Sequence, residues 1–213
     1  MINVCTQCGE YHADKLIDAS GPHAICPSCG HKNFFHRLPL FCLTGPSGSG
    51  KTSVCTQMMH IQKDVIVLES DILWREEFDS PETGWYEYRN LWLRICKNIS
   101  QSGKPVLLCG SVSPGQFEPC VESRYFSSIH YLALVCNDET LTARLQNRPN
   151  WRDTQSEEFV LKQIKWMKWF KNTKHEQDIE LVDTSNSGVE ETAKSVRDWI
   201  RSKLEIIYPK SGK

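Results

Sequence analysis

The sequence predicts an α/β protein: a five-stranded parallel sheet covered by helices on both faces, preceded by a small metal-stapled unit. Three observations predict it. From Leu38 onward, short apolar runs alternate with helical stretches five times, the pattern of a parallel sheet with crossover helices. The first apolar run leads into Gly45-Pro46-Ser47-Gly48-Ser49-Gly50-Lys51-Thr52, a complete glycine-rich phosphate loop. Ahead of it, residues 1–37 hold two Cys-x-x-Cys pairs and few aliphatic side chains.

Leu38–Thr44 reads as the first strand, and Lys51–Ile61 as the helix after the loop. Val65–Glu69 is the second strand. Ile72–Phe78 and Tyr86–Ser100 read as helices, separated by the turn-rich Asp79-Ser80-Pro81-Glu82-Thr83-Gly84. Gly103-Lys104-Pro105 turns into the third strand, Val106–Cys109, and Ile129–Cys136 is the fourth. Asp138 caps a helix that runs to about Asn147 and is stopped by Pro149. Ser156 opens the next, with Glu157 and Glu158 in its first turn where the helix dipole favours them. Ile179–Val182 is the fifth strand, Val189–Ile207 is the closing helix, and residues 210–213 are expected to be mobile. The expected organisation is therefore 1–37 as one unit and 38–213 as the second.

The 213 residues are 39% hydrophobic and 24% charged, with a net charge of −1. Such a balance gives no global electrostatic case for nucleic acid or an anionic membrane. No run of about 18 apolar residues exists to span a bilayer, and the start lacks the basic-then-apolar pattern of a secretory signal. The expected compartment is the cytoplasm, and the chain is expected to be a monomer or homodimer. Ten cysteines are present, but without a signal a disulfide framework is not expected. Cys42, Cys109 and Cys136 fall in apolar runs and read as small buried hydrophobes.

Each part of the loop has a physical task. Gly45, Gly48 and Gly50 allow positive φ and close backbone approach to phosphate. Successive N–H groups then form an anion nest backed by a helix N-terminus. Lys51 supplies charge to the β- and γ-phosphates, and Thr52 a hydroxyl for Mg²⁺. The motif alone does not separate nucleotide-using classes. A guanine reader is not matched by Asn172-Thr173-Lys174. The third strand ends Leu107-Leu108-Cys109-Gly110-Ser111 with no carboxylate, unlike a motor ATPase.

The second strand ends Glu69-Ser70-Asp71. Carboxyl ends of parallel strands line the ligand crevice, so Asp71 is expected to face the γ-phosphate and accept an acceptor proton or hold the Mg²⁺ water shell. Its competing role is helix N-cap. Arg144, Arg148 and Arg152 follow the fourth strand at spacings of four, around Pro149. They read as lid arginines that stabilise transferring charge, led by Arg148 and Arg144; the alternative is a solvated basic face. Trp74, Arg75, Trp85, Tyr86 and Arg89 could stack a ring and pair with an anion, or pack helices.

With these pieces in order, the chain from Leu38 onward resembles the P-loop small-molecule kinases, the nucleoside and nucleotide kinase group with shikimate, gluconate and chloramphenicol kinases as relatives. The resemblance rests on GPSGSGKT, ESD, LLCGS, RLQNR and VDTSNSGVEETAKSVRDWI. It implies a P-loop three-layer sandwich of strand order 2-3-1-4-5, ATP and Mg²⁺. It further implies an acceptor site around Glu69, Gly110 and the helices at 72–100, and an adenine cradle at Thr184, Ser185 and Asn186. The Asp-Gly-x-x-Arg motifs of the monophosphate kinases are missing, so the acceptor is left open, with a nucleoside or nucleotide as the leading expectation.

Cys5 and Cys8, then Cys26 and Cys29, are separated by 17 residues. Two-residue spacers let each pair reach one ion, and Gly9 and Gly30 relax the knuckles. The expected site is a structural zinc ribbon with four thiolates; an iron site or a redox dithiol are the alternatives. His12, His23, His31 and His36 are expected at the surface. Three Lys/Arg balance three Asp/Glu in residues 1–37, giving no support for nucleic-acid contact. The expected function is ATP-dependent phosphorylation of a small acceptor; the alternative is an ATP-binding adaptor whose ribbon contacts RNA or a protein.

Overall fold

The computed structural model describes residues 2–207; the tail expected to be mobile lies outside them. Three short antiparallel strands come first: β1 (Leu16–Ile17), β2 (His23–Ile25) and β3 (Lys32–Phe34). Such a unit buries little of its own. Ile2, Ala24 and Phe35 form its apolar centre, and the cluster is completed from outside by Tyr125.

The main sheet holds β4 (Leu40–Thr44), β5 (Ile66–Glu69), β6 (Val106–Cys109), β7 (Ile129–Val135) and β8 (Ile179–Asp183). Its order is β5-β6-β4-β7-β8 and every pairing is parallel. Numbered from β4 this is 2-3-1-4-5, as expected. All five residues of β4 are buried, which is why its sequence reads as a continuous apolar run rather than an alternating one. The period of two still decides which face each side chain serves.

Phe41 and Leu43 join α1 (Lys51–Ile61) and α6 (Val189–Ile207) on one face, through Val54, Met58, Val196 and Trp199. Leu40 and Cys42 join α2 (Tyr86–Ser100) and α5 (Glu157–Thr173) on the other, through Trp92, Leu93, Met167 and Phe170. A short α3 (Pro114–Phe117) and α4 (Asp138–Gln146) complete the second layer. Cys42, Cys109 and Cys136 are buried in these cores. Among the described residues no helix is long and apolar enough to cross a membrane.

The structure corrects several local expectations. Ile72–Phe78 is not a helix; the segment forms 3₁₀ turns at Ser70–Leu73, Glu76–Phe78 and Pro81–Thr83. The Asp71 carbonyl, which a helix would give to Arg75, accepts from Trp74 N at 3.1 Å instead, and the Ser70 carbonyl just ahead is held by Tyr88 Oη at 2.6 Å and Trp92 Nε1 at 3.1 Å. A helix as short as Ile72–Phe78 is costly to nucleate, and the segment settles into separate 3₁₀ turns. The cap of α4 is Asn137, not Asp138: Asn137 Oδ1 accepts from Thr140 N at 2.7 Å, leaving Asp138 inside the first turn to pair with Lys168. β4 and β5 begin later than expected, at Leu40 and Ile66, and β7 ends at Val135.

Candidate active site

The carboxyl ends of β4, β5 and β6 converge on one crevice. Gly45, Gly48 and Gly50 have φ of 134°, 87° and 100°, a region that only glycine occupies freely. At Gly45 a Cβ would also stand 2.4 Å from the Leu134 carbonyl oxygen. The loop thus lies directly on β7, where a side chain cannot enter. Lys51 Nζ folds back to donate to the Gly45 and Pro46 carbonyls at 2.8 and 2.9 Å. Burial lowers its pKa to about 8, opposed by nearby Asp71 and reinforced by Arg148. The ammonium is therefore held, poorly solvated, beside a nest of N–H groups, which fits a polyphosphate.

Thr52 Oγ1 donates to Glu69 Oε1 at 3.1 Å. A hydroxyl beside a carboxylate under a phosphate loop is a hard oxygen donor pair suited to Mg²⁺. Glu69, expected from sequence at the acceptor, is joined by this bond to the phosphate loop. Asp71 lies one 3₁₀ turn onward and accepts from the Ser70 hydroxyl at 3.3 Å. It does not cap a helix: it lies inside the 3₁₀ turn Ser70–Leu73, whose cap position is Glu69.

Two spaces meet at Asp71. A tight one of about 100 Å³ includes Ser47, Lys51, Thr52, Arg148 and Arg152. A cavity of about 810 Å³ opens beside it between Trp74, Trp85, Arg89, Phe159 and Trp166. Ser47, Asp71 and Ser111 line both. Arg89 is 8% exposed; one terminal nitrogen donates to the Ser111 carbonyl and its Nε is buried without a partner. Trp85 holds the left-handed conformation at φ 58°, strained for a large side chain, and its Nε1 donates to Asp79. This turns its indole toward the cavity.

On the opposite side of the loop, a space of about 310 Å³ lies between Arg144, Arg148, Thr184 and Val189. Thr184 Oγ1 donates to the Ser49 carbonyl at 3.2 Å, and Ser185 Oγ accepts from Asn137 N at 2.8 Å.

The structure brings Lys51, Thr52, Glu69, Asp71 and Arg148 together. It separates others. Arg144 donates to Thr184 Oγ1 and to the Thr184 carbonyl, at 2.9 and 2.7 Å, so it braces the Thr184–Ser185 loop; it lines the 310 Å³ space with Arg148 but not the tight space at Asp71. Arg75 is exposed, with its guanidinium over the Phe78 ring and away from the cavity lining. Gly110 faces Ser70 rather than open space, because a Cβ there would stand 2.0 Å from Ser70 Oγ. Sequence reasoning missed Gln163, whose Oε1 accepts from Ser47 N at 2.9 Å across α5, and Phe159 and Trp166 in the cavity wall. All three lie on a helix whose sequence carries no signal distinguishing site from packing.

The four ribbon cysteines form a second centre. Cys5 and Cys29 sulfurs are 3.7 Å apart, as are Cys8 and Cys26, and all four lie within 4.8 Å of one another. Zn–S bonds of 2.3 Å in a tetrahedron give S···S edges of about 3.8 Å, so the thiolates fit zinc and are too far apart for disulfides. The two knuckles repeat each other: Gly9 N donates to Cys5 O and Gly30 N to Cys26 O, with φ of 78° and 72°. Backbone N–H groups of Cys8 and Gln7, against burial, lower the Cys5 thiol to about 5. None of the four ribbon histidines joins the cluster.

No family model and no curated protein sequence matches the chain. Solved structures do match in fold. A gluconokinase from Sinorhizobium meliloti superposes with a TM-score of 0.58 at 17% identity, over 84% of this chain and 99% of that one. A sugar kinase from a Janibacter species gives 0.55 at 15%, over 77% and 95%. A shikimate kinase from Acinetobacter baumannii, in complex with shikimate, gives 0.53 at 21%, over 79% and 96%. The chain thus has the fold of P-loop kinases, with a four-cysteine ribbon added in front.

Proposed function

We propose that the chain is an ATP-dependent kinase of a small hydroxyl-bearing molecule. The observation that carries this reading is the shared boundary of the two spaces: Asp71 lines both the phosphate cradle and the 810 Å³ cavity. A carboxylate at that boundary can take the proton of a hydroxyl entering from one side as it meets a phosphoryl group from the other.

The triphosphate of ATP would lie on residues 45–52, with Lys51 and Arg148 countering its charge and Thr184 and Ser185 beside the base. Thr52 and Glu69 would hold Mg²⁺, which supplies charge neutralisation between the phosphates. Arg148, not Arg144, is then the arginine of the transferring group, joined by Arg152 in the same wall.

For the acceptor, tryptophan walls at Trp74, Trp85 and Trp166 suit a flat ring, so a nucleoside or nucleotide is the first reading. The unpartnered Nε of buried Arg89 favours a second, a hydroxy acid, because a buried guanidinium seeks an anion. The named substrates of the gluconokinase and the shikimate kinase are hydroxy acids too. The discriminating experiment is ADP formation across a panel of nucleosides, nucleotides, sugars and sugar acids, with Lys51→Ala as control. Stimulation by one class names the acceptor. No stimulation by any of them, or undiminished turnover in Lys51→Ala, would discard the kinase reading and leave the ATP-binding adaptor.

A further inference from the structure

The cysteine ribbon sits against α2 and the adjoining 3₁₀ segment Val121–Tyr125, and α2 also builds the acceptor cavity. The contact is apolar at the Phe35–Tyr125 ring pair and polar around it. Tyr125 Oη accepts from Lys15 N at 3.0 Å and donates to the Ala13 carbonyl at 2.9 Å. Lys97, 1% exposed on α2, donates to Asn3 Oδ1 at 2.8 Å and pairs with Glu122, which is fully buried. The Lys97 ammonium also lies 4.1 Å from the centre of the Tyr125 ring. Arg94, one turn earlier, donates to the second Glu122 oxygen at 2.8 Å. Gln101, just past the end of α2, exchanges two hydrogen bonds with the His36 backbone.

The other end of α2 faces the chemistry. Arg89 lines the cavity and holds the Ser111 carbonyl. Tyr88 and Trp92 both donate to the Ser70 carbonyl, one residue before Asp71. The 15 residues of α2 span about 22 Å as a rigid rod. Fixing its C-terminal half therefore fixes the angle at which Tyr88, Arg89 and Trp92 meet the tip of β5. The nucleotide half hangs instead on α1, α6 and β7, and none of the ribbon contacts above touches those elements.

We infer that the ribbon is a buttress of the acceptor half of the site, and that Lys97 and Tyr125 are positioning residues acting through α2 on Arg89 and Asp71. The buried Lys97–Glu122 pair ties α2 to the 121–125 segment, and the ribbon grips both members of that joint, through Asn3 on Lys97 and Lys15 on Tyr125. Metal bound by Cys5, Cys8, Cys26 and Cys29 would keep Asn3 and Ala13–Lys15 where these bonds need them. The consequence for acceptor affinity rests on the kinase reading; the mechanical coupling does not.

The test uses the whole 213-residue chain loaded with zinc and two variants, Tyr125→Phe and Lys97→Met. Tyr125→Phe removes both hydroxyl bonds and keeps the ring under Lys97. Three quantities are read: amide exchange along the chain, zinc content, and affinity for a fluorescent ATP analogue. Loss of two hydrogen bonds should speed exchange at residues 70–74 and 86–93 about ten-fold. Exchange in α1 and α6, zinc content and analogue affinity should stay unchanged. Unaltered exchange in α2, or an equal rise in α1 and α6, would overturn the coupling. If Lys97→Met does not fold, Tyr125→Phe decides alone. With the acceptor found by the panel, KM for it should rise while KM for ATP holds. A panel with no acceptor would end the kinase reading and leave the exchange result standing.

Discussion

Ser70 and Gly110 occupy each other's space at the tips of two neighbouring strands: a Cβ on Gly110 would meet Ser70 Oγ at 2.0 Å and Ser70 Cβ at 2.8 Å. Gly110 N donates to the Leu43 carbonyl, so the glycine cannot slide away. Ser70 is pinned as well, its carbonyl held by Tyr88 and Trp92. The glycine is there to let β5 and β6 close on each other beside Asp71.

Gly110→Ala should therefore destabilise the protein by about 1–3 kcal/mol, the usual cost of overpacking a closed site. Adding Ser70→Gly removes the clash and should restore most of it. Thermal or denaturant unfolding of the single and double variants measures this. A double variant no more stable than Gly110→Ala alone would contradict the assignment.

Lys51 gives a pH dependence with a definite sign. Burial lowers the free group to about 8, and contact with phosphate oxygens raises it again. Nucleotide binding must then take up a proton once the pH passes 8, and affinity should fall by up to about ten-fold per pH unit beyond it. Below pH 7 the group is charged in both states and contributes no slope. Titrations of ATP affinity from pH 6 to pH 10 check this, with Lys51→Arg expected to lack the bend.

The two lid arginines should separate in kinetics. Arg144 is bonded twice to Thr184, so Arg144→Met should weaken ATP binding roughly ten-fold while leaving most of kcat. Arg148 stands with Lys51 and Asp71, so Arg148→Met should lower kcat a hundredfold or more, about the effect of losing one donor to developing charge. Steady-state kinetics against ATP distinguish them; equal losses in kcat would remove the division of labour.

Metal analysis of the purified protein should give about one zinc per chain and no visible charge-transfer band, which an iron site would show. Cys8→Ser should reduce that content. A folded, metal-free protein with intact α2 protection would refute the ribbon as a metal site.

The fold was legible where local chemistry and long-range packing agree. The glycine-rich loop at 45–52 and the bounds of α1, α2 and α6 were read to the residue, because their signals act locally. Alternation announced a parallel sheet, and its strand order came from the resemblance alone. What failed was decided at a distance. Nothing near Ser70 announces that Tyr88 and Trp92 will take its carbonyl, or that the stretch Ile72–Phe78 will close i+3 turns in place of the expected helix. Asn137 and Asp138 are both good caps in sequence, and only the turn geometry selects between them. Gln163 and Glu122 are polar residues on helical stretches, indistinguishable from solvated ones until the opposing surface is known. The cysteine spacing announced a metal; no spacing could announce that Lys15 would dock on Tyr125.

That last pairing joins residues 110 apart in sequence, whereas the cysteine cluster closes over only 24. A chain made from its N-terminus presents all four thiols long before Tyr125 exists. Short closures also form sooner than long ones. Metal capture should therefore come early in assembly, and the docking of the ribbon on Tyr125 and α2 late. During synthesis in zinc-poor conditions, the molecule should stall with a complete phosphate loop and an unset helix. Pulse-labelled exchange on refolding should then find residues 40–61 protected and residues 86–100 still open, until zinc is added.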